Sequence, residues 1–145
     1  MGILCGVDVF LVAFVVSLVV VGTLLLVATT RKGTVATVAM TKRRMVLHTS
    51  VPPNLVFDWL VRQCPPGYKV ADADPSRGIV ILSSPVSLIE YGFFFPAVVY
   101  PEGPGTRVEL GIKSKAVQYG PIVTRAHRKL AQALAALTHG SIEGR

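Results

Sequence analysis

The hydrophobic pattern divides the chain in two. From Ile3 to Val27 the run ILCGVDVFLVAFVVSLVVVGTLLLV carries one charge, Asp8. About 20 apolar residues span the ~30 Å hydrocarbon core of a bilayer as a helix, so residues 1–30 are predicted to form a transmembrane helix with length to spare for tilt. A cleavable signal peptide has a basic leader and an apolar core of about 7–15 residues. Here no Lys or Arg precedes the run and the run is longer. An uncleaved signal anchor is expected.

Beyond the span the periods are those of a folded domain. MVLHTS (Met45–Ser50) reads as a short strand, and Pro52-Pro53 then opens a helix, where proline is favoured in the first turn. Leu55, Val56, Trp59 and Leu60 recur at helical spacing over Asn54–Cys64, and Pro65-Pro66-Gly67 ends that helix. Strands are predicted at Tyr68–Ala73 and Gly78–Ser83, joined through Asp74-Pro75-Ser76-Arg77. Leu88–Tyr100 is an aromatic-rich strand in which Gly92 and Pro96 suggest a bulge or a break. A turn at Pro101–Gly105 leads into Thr106–Lys115, where Val108, Leu110 and Ile112 alternate with Arg107, Glu109 and Lys113. A last helix runs from Gly120-Pro121 to about Thr138, with Ile122, Val123, Ala126, Leu130, Leu134 and Leu137 as its apolar stripe. The order is β-α-β-β-β-β-α behind a transmembrane helix, an α+β class with an antiparallel sheet and helices on one face.

This organisation gives four segments: residues 1–30 as anchor, 31–43 as basic juxtamembrane linker, 44–139 as an α+β domain and 140–145 as a tail. Within the linker, Gly33–Met40 (GTVATVAM) is apolar and β-branched. It continues the helix or lies along the membrane or a partner, and its pattern does not choose. The tail contains IEGR, the recognition sequence of factor Xa, preceded by GS in the manner of a cloning scar. It is set outside the predicted fold.

Charge adds a topology. From Arg31 to Gly140 there are 14 Lys or Arg against 6 Asp or Glu, so the domain is basic. Arg31, Lys32, Lys42, Arg43 and Arg44 cluster just after the span and none precedes it, which places the N-terminus outside and the domain in the cytoplasm of a plasma membrane. The same residues are expected to contact anionic lipid headgroups, each attracted by ~1 kcal/mol. Topology and lipid account for the charge, so no nucleic-acid partner is expected. Cys5 and Cys64 fall on opposite sides in this reading and cannot pair.

Candidate chemistry is sparse. GxSxG, HExxH, CxxC and Walker sequences do not occur, and the three histidines (His48, His127 and His139) stand apart in sequence. His48 is a lone strand histidine, and His127 lies on a basic helix. Asp72 and Asp74 flank a proline turn, where Asp is favoured for local backbone bonds. Glu90, in the aromatic strand, is the one carboxylate that burial would affect. No catalytic residue, metal or cofactor is expected.

Interaction surfaces are better marked. At about 100° per residue, Gly2, Gly6, Ala13 and Ser17 share one face of the span, and small residues let a second helix approach. Asp8 lies nearly opposite, where snorkelling into headgroups is the simpler reading. Tyr91, Phe93, Phe94 and Phe95 form an apolar patch whose consecutive rings must point to both faces of a strand. One face goes to the core. The other must meet a second layer, a partner, the membrane surface or a ligand.

Three resemblances follow. The stretches GYKVADADPSRGIVILSS, GTRVELGIKSKA and GPIVTRAHRKLAQALAAL, from Gly67 onward, resemble a small bacterial α+β domain family of unknown function with a GTRV-type strand and a Gly-led terminal helix. The chain departs from it at Phe95-Pro96, which replaces an acidic pair, and at Gln118, where that family has Asp. The β-α start and long terminal helix resemble the helix-grip, START-like lipid-binding fold. In build, one span with a small Val/Ala/Arg-rich domain, the chain is similar to single-span accessory subunits of the actinobacterial cytochrome bcc–oxidase respiratory supercomplex. That last resemblance implies a non-catalytic accessory subunit docked to other membrane subunits. The helix-grip resemblance implies a membrane-tethered domain that binds lipid or another hydrophobe.

Overall fold

The computed structural model describes residues 2–88, 90–118 and 120–143, with side chains from Asp8 onward in the first helix. That helix, α1 (Gly2–Thr30), has 29 residues and is about 43 Å long at 1.5 Å per residue. Among the described residues it is the one helix long and apolar enough to cross a membrane. Every side chain from Asp8 to Thr23 is exposed, Ala13 and Ser17 included. Gly2 and Gly6 lie on the same helix, but their surroundings fall outside the described residues. The hydroxyls turn back on the helix: Ser17 Oγ donates to the Ala13 carbonyl at 2.8 Å, and Thr23 Oγ1 donates to that of Val19 at 2.7 Å. Hydrocarbon offers no other partner, so these bonds suit a lipid-facing helix.

The domain follows as β1 (Arg44–Thr49), α2 (Pro53–Arg62), β2 (Lys69–Asp74), β3 (Ile79–Ser83), β4 (Phe93–Glu102), β5 (Gly105–Gly111), β6 (Lys113–Ser114), α3 (Pro121–Thr138) and β7 (Ser141–Ile142). The strands form one antiparallel sheet in the order β2-β3-β4-β5-β1-β7, with β6 continuing alongside β4. The α+β architecture is as the pattern predicts, with two more short strands. β4 and β5 turn over tightly, Glu102 pairing with Gly105. The expected irregularity in the aromatic strand has a defined form. β4 begins only after Gly92, and its ladder to β5 and β6 is interrupted between Phe94 and Ala97, beside Pro96, which has no N–H to offer. Glu90 precedes that strand, half-exposed, and Ile89 lies outside the described residues.

The tail also differs from expectation. Ser141 and Ile142 pair with His48 and Leu47 as β7, and the Glu143 amide donates to the Val46 carbonyl at 2.8 Å. Backbone pairing of this kind needs no side-chain pattern, which is why two residues with no strand signature still join the sheet.

One face of the sheet carries the core: Leu47, Val80, Leu82, Phe93, Phe95, Ala97, Val108 and Leu110 pack against Val56 and Leu60 of α2 and Leu130, Ala131 and Leu134 of α3. Both helices bury most of the expected stripe, Val56 and Leu60 on α2 and Leu130 and Leu134 on α3, with Val123, Ala126 and Leu137 packed beside them. Leu55 is exposed while Phe57 and Val61 reach the core. On α3 the buried positions are His127, Leu130, Ala131, Leu134 and Thr138, and Ile122 is 43% exposed. His127 is thus an interior residue and not part of the solvated basic face. Its Nε2 donates to the Leu110 carbonyl at 2.7 Å.

Part of the outer face of the sheet, around Ile79, Ile81 and Phe94, is covered by the chain itself. Residues 31–43 leave α1 and run across it as a strap. Val38 is buried with Ile81 and Phe94, and Val35 and Ile79 pack beside them. The Val35 amide donates to Asp72 Oδ2 at 2.8 Å, and Lys113 Nζ donates to the Thr37 carbonyl at 3.2 Å. Gly33 lies so close to the Phe94 ring that a Cβ there would overlap it. At the far end Thr41 Oγ1 accepts the Ile112 amide at 3.1 Å, filling the gap between β5 and β6. GTVATVAM is therefore neither a helix extension nor a free linker, and it is the second layer that the aromatic strand requires.

Candidate functional site

The strap decides where the five juxtamembrane cations go. Arg31 and Lys32 stay at the end of α1, whereas Arg43 and Arg44 are carried to the start of β1. Arg43 Nη1 donates to Thr124 Oγ1 at 3.2 Å, and Arg44 pairs with Glu109 at 3.2 Å. Lys42 is exposed between them. The aromatic patch is interior: Phe93 and Phe95 are 0% exposed and Phe94 4%. Phe93 and Phe95 face the helices, their centroids 6.0 Å apart, with Tyr68 edge-on to Phe95 at 5.8 Å. Phe94 faces the strap. Tyr91 is half-buried just before β4.

Where α1 meets the sheet there is a cleft of about 580 Å³. Ala28, Arg31 and Lys32 border it on the α1 side, and Lys69, Phe94 and Lys115 on the sheet side. Four of its lining residues are cations, and no Asp or Glu lines it among the described residues. Lys115 is the most enclosed, 8% exposed. Its Nζ donates to the Ser84 carbonyl at 2.6 Å and stands 5.0 Å from the centre of the Phe94 ring. Burial pushes its pKa down, and the charge of Lys69 adds to the effect.

The loops around Lys115 are built to hold it. Its own amide donates to the Gly92 carbonyl at 3.1 Å. Gln118 pins the same turn from both sides, accepting from the Tyr91 amide at 3.1 Å and donating to the Gly92 carbonyl at 3.0 Å. An Asp at this position lacks the donor, so the Gln belongs to this arrangement. Gly92 has φ 77°, and a Cβ there would press on the Ser84 and Pro85 carbonyls and on Lys115.

A second cleft of about 550 Å³ lies between β1 and α3, bordered by Arg43, Arg44, Met45, Thr124, His127 and Arg128. His127 is held neutral: burial lowers its pKa, the charge of Arg43 lowers it further, and the bond to Leu110 opposes both. It donates to a carbonyl with Nε2, which suits a structural ring more than a base. Cys64 is half-buried and burial raises its pKa, which favours the thiol over the thiolate nucleophile.

His48 is not alone. Its Nδ1 lies 2.6 Å from Glu102 and its Nε2 3.4 Å from Glu143, joining the β4–β5 turn, β1 and the tail. Its pKa is raised, first by the bond to Glu102 and then by that to Glu143. A folded pKa above the unfolded ~6.5 means stabilisation that is complete below ~6.5 and lost as pH rises through the folded value. Protection of the Glu143 amide against hydrogen exchange, corrected for intrinsic rates, should be greater at about pH 5.5 than at about pH 8. His48→Gln should abolish the difference; equal protection in the wild type would mean that the imidazole does not clasp the tail. His127 has the opposite sign. Its contribution is present above ~6.5 and lost as pH falls through its depressed folded value.

Sequence reading missed Lys69 and Lys115. Lys69 opens β2 and Lys115 follows β6, and each resembles any other polar residue at a strand boundary. Asp74, by contrast, does what its turn position implies, accepting from Ser76 Oγ at 2.6 Å and from the Ser76 amide at 3.0 Å.

A sheet packed on a long C-terminal helix, behind an apolar N-terminal helix, is the arrangement the structure defines. No protein-family model and no curated protein matches the chain. Among solved structures it is similar to Ara h 8.0201, at 8% identity over 66% of this chain and 93% of that one, with a TM-score of 0.39. It is also similar to TTHA0849 from Thermus thermophilus, at 19% identity over 63% of this chain and 84% of that one, with a TM-score of 0.29. At these scores neither likeness speaks to a ligand.

Proposed function

We propose that this protein is a single-pass, non-catalytic lipid-binding module of the plasma membrane, N-terminus outside and α+β domain on the cytoplasmic surface. The observation that carries it is the strap. Residues 31–43 are packed on the sheet, so the domain is held against the end of α1; if α1 spans a bilayer, this supports a position of the basic cleft at headgroup level. The space between sheet and helices is occupied by Phe93, Phe95 and the leucines of α3, so lipid is assigned to the surface cleft and not to the interior.

A separate proposal is the accessory subunit of a larger, respiratory complex. It rests on the build and on the uncovered face of α1 that includes Ala13 and Ser17. Extraction of the full chain in mild detergent separates the two. We expect recovery as the chain alone with co-purified phospholipid, read by native mass spectrometry. A stoichiometric large assembly would favour the accessory subunit, and a lipid-free single chain would count against lipid binding.

A further inference from the structure

We infer that the cleft between the end of α1 and the sheet is a specific site for the phosphate of an anionic phospholipid headgroup, with Lys115 as its floor and Lys69, Arg31 and Lys32 as its rim. This deepens the lipid-binding reading and rests on α1 spanning a membrane.

The first support is the state of Lys115. An ammonium has three donors, and this one, 8% exposed, makes one bond among the described residues, to the Ser84 carbonyl. No carboxylate lies within ion-pair distance of it among the described residues. A buried charge without a counter-charge is costly, and its pKa is pushed down accordingly. The one acid of β2 near the strap, Asp72, is already engaged by the Val35 and Ala73 amides at 2.8 and 2.9 Å. An anion in the cleft supplies the missing charge.

The second support is composition and place. Four cations line the cleft, and they come from three separate parts of the chain: the end of α1, the start of β2 and the residue after β6. Ala28 of α1 and Phe94 of β4 give the same cleft an apolar part. A phospholipid presents this combination, with its phosphate beside the start of its acyl chains. A free phosphate shares the charge chemistry but makes no use of the apolar part or of the position at the membrane surface. The lysine ammonium suits phosphate as a point charge, without the planar match of a guanidinium fork.

The test uses the full chain in nanodiscs of phosphatidylcholine with or without phosphatidylglycerol. Retained lipid is counted by native mass spectrometry after release. We expect phosphatidylglycerol to be retained about tenfold over its share of the bilayer, as one charge-assisted contact implies. That preference should be lost in Lys115→Met, which keeps the stem and removes the charge, and in Lys69→Gln, an exposed position where folding is not at stake. Arg125→Gln, on the exposed face of α3, should leave it intact. No preference in the wild type, or equal loss in Arg125→Gln, would overturn the site. Inorganic phosphate titrated onto the chain in pure phosphatidylcholine discs is the other arm. Saturable binding there, lost in Lys115→Met, would overturn the headgroup in favour of a soluble anion. Should the chain fail to enter discs at all, the membrane reading itself falls; a chain that enters and holds lipid without preference loses only this site.

Discussion

Phe95→Ala should lower the unfolding free energy of the domain by about 3–5 kcal/mol, the cost of removing a buried aromatic ring and leaving a cavity. Phe95 is fully buried between Phe93, tilted against it, and Tyr68, edge-on to it, at centroid distances of 6.0 and 5.8 Å. It pairs with Leu82 across the sheet and belongs to the cluster that α2 and α3 cover. A domain of this size holds roughly 5–15 kcal/mol in all, so one ring carries a large share. The thermal midpoint should fall by roughly 12–40 °C at about 4–8 °C per kcal/mol. Denaturant unfolding of the full chain in micelles, followed by Trp59 fluorescence, measures it. A loss within about 0.5 kcal/mol, typical of exposed positions, would mean that the ring faces outward as a docking patch.

Val38→Asp tests the other side of the sheet. Val38 is 3% exposed and meets Ile81 and Phe94. A lone carboxylate is not tolerated there, so the strap is expected to detach and take the charge to water. Burial of one valine is worth about 1.5–3 kcal/mol, which converts to an open population raised about ten- to hundredfold. Trypsin should then cut at Lys42 and Arg43 faster by that factor, since cleavage follows the open fraction. The midpoint of the main core should move little, because Val38 is not part of that cluster. An unchanged cleavage rate would show that the strap is not held by this contact, and the cleft would lose its fixed geometry.

These two residues also show what was legible in advance. Three consecutive phenylalanines announce that both faces of their strand are apolar, and that was readable. The partner of the second face was not. Gly33–Met40 has apolar residues without a helical or strand period, because a segment laid across a sheet touches it at irregular points such as Val35, Val38 and Met40. The burial of His127 was not readable for a related reason. Its neighbours Arg125, Arg128 and Lys129 are exposed, and the helix phase that buries it is set by Leu130, Ala131 and Leu134 fitting the sheet. Periodicity defines a stripe to within a residue or two, and that margin decides between a solvated and an interior histidine.

The apolar helix, the α+β order and the turns were readable from the chain alone, because each depends on near neighbours: an unbroken run, a period of two or of 3.6, a proline or a glycine at a boundary. Three features came from packing instead: the strap covers the sheet, the tail joins it, and Arg31, Lys32, Lys69 and Lys115 meet around one cleft. Local pattern states which face of an element is apolar. It does not state which faces meet, and the cleft exists only where they do.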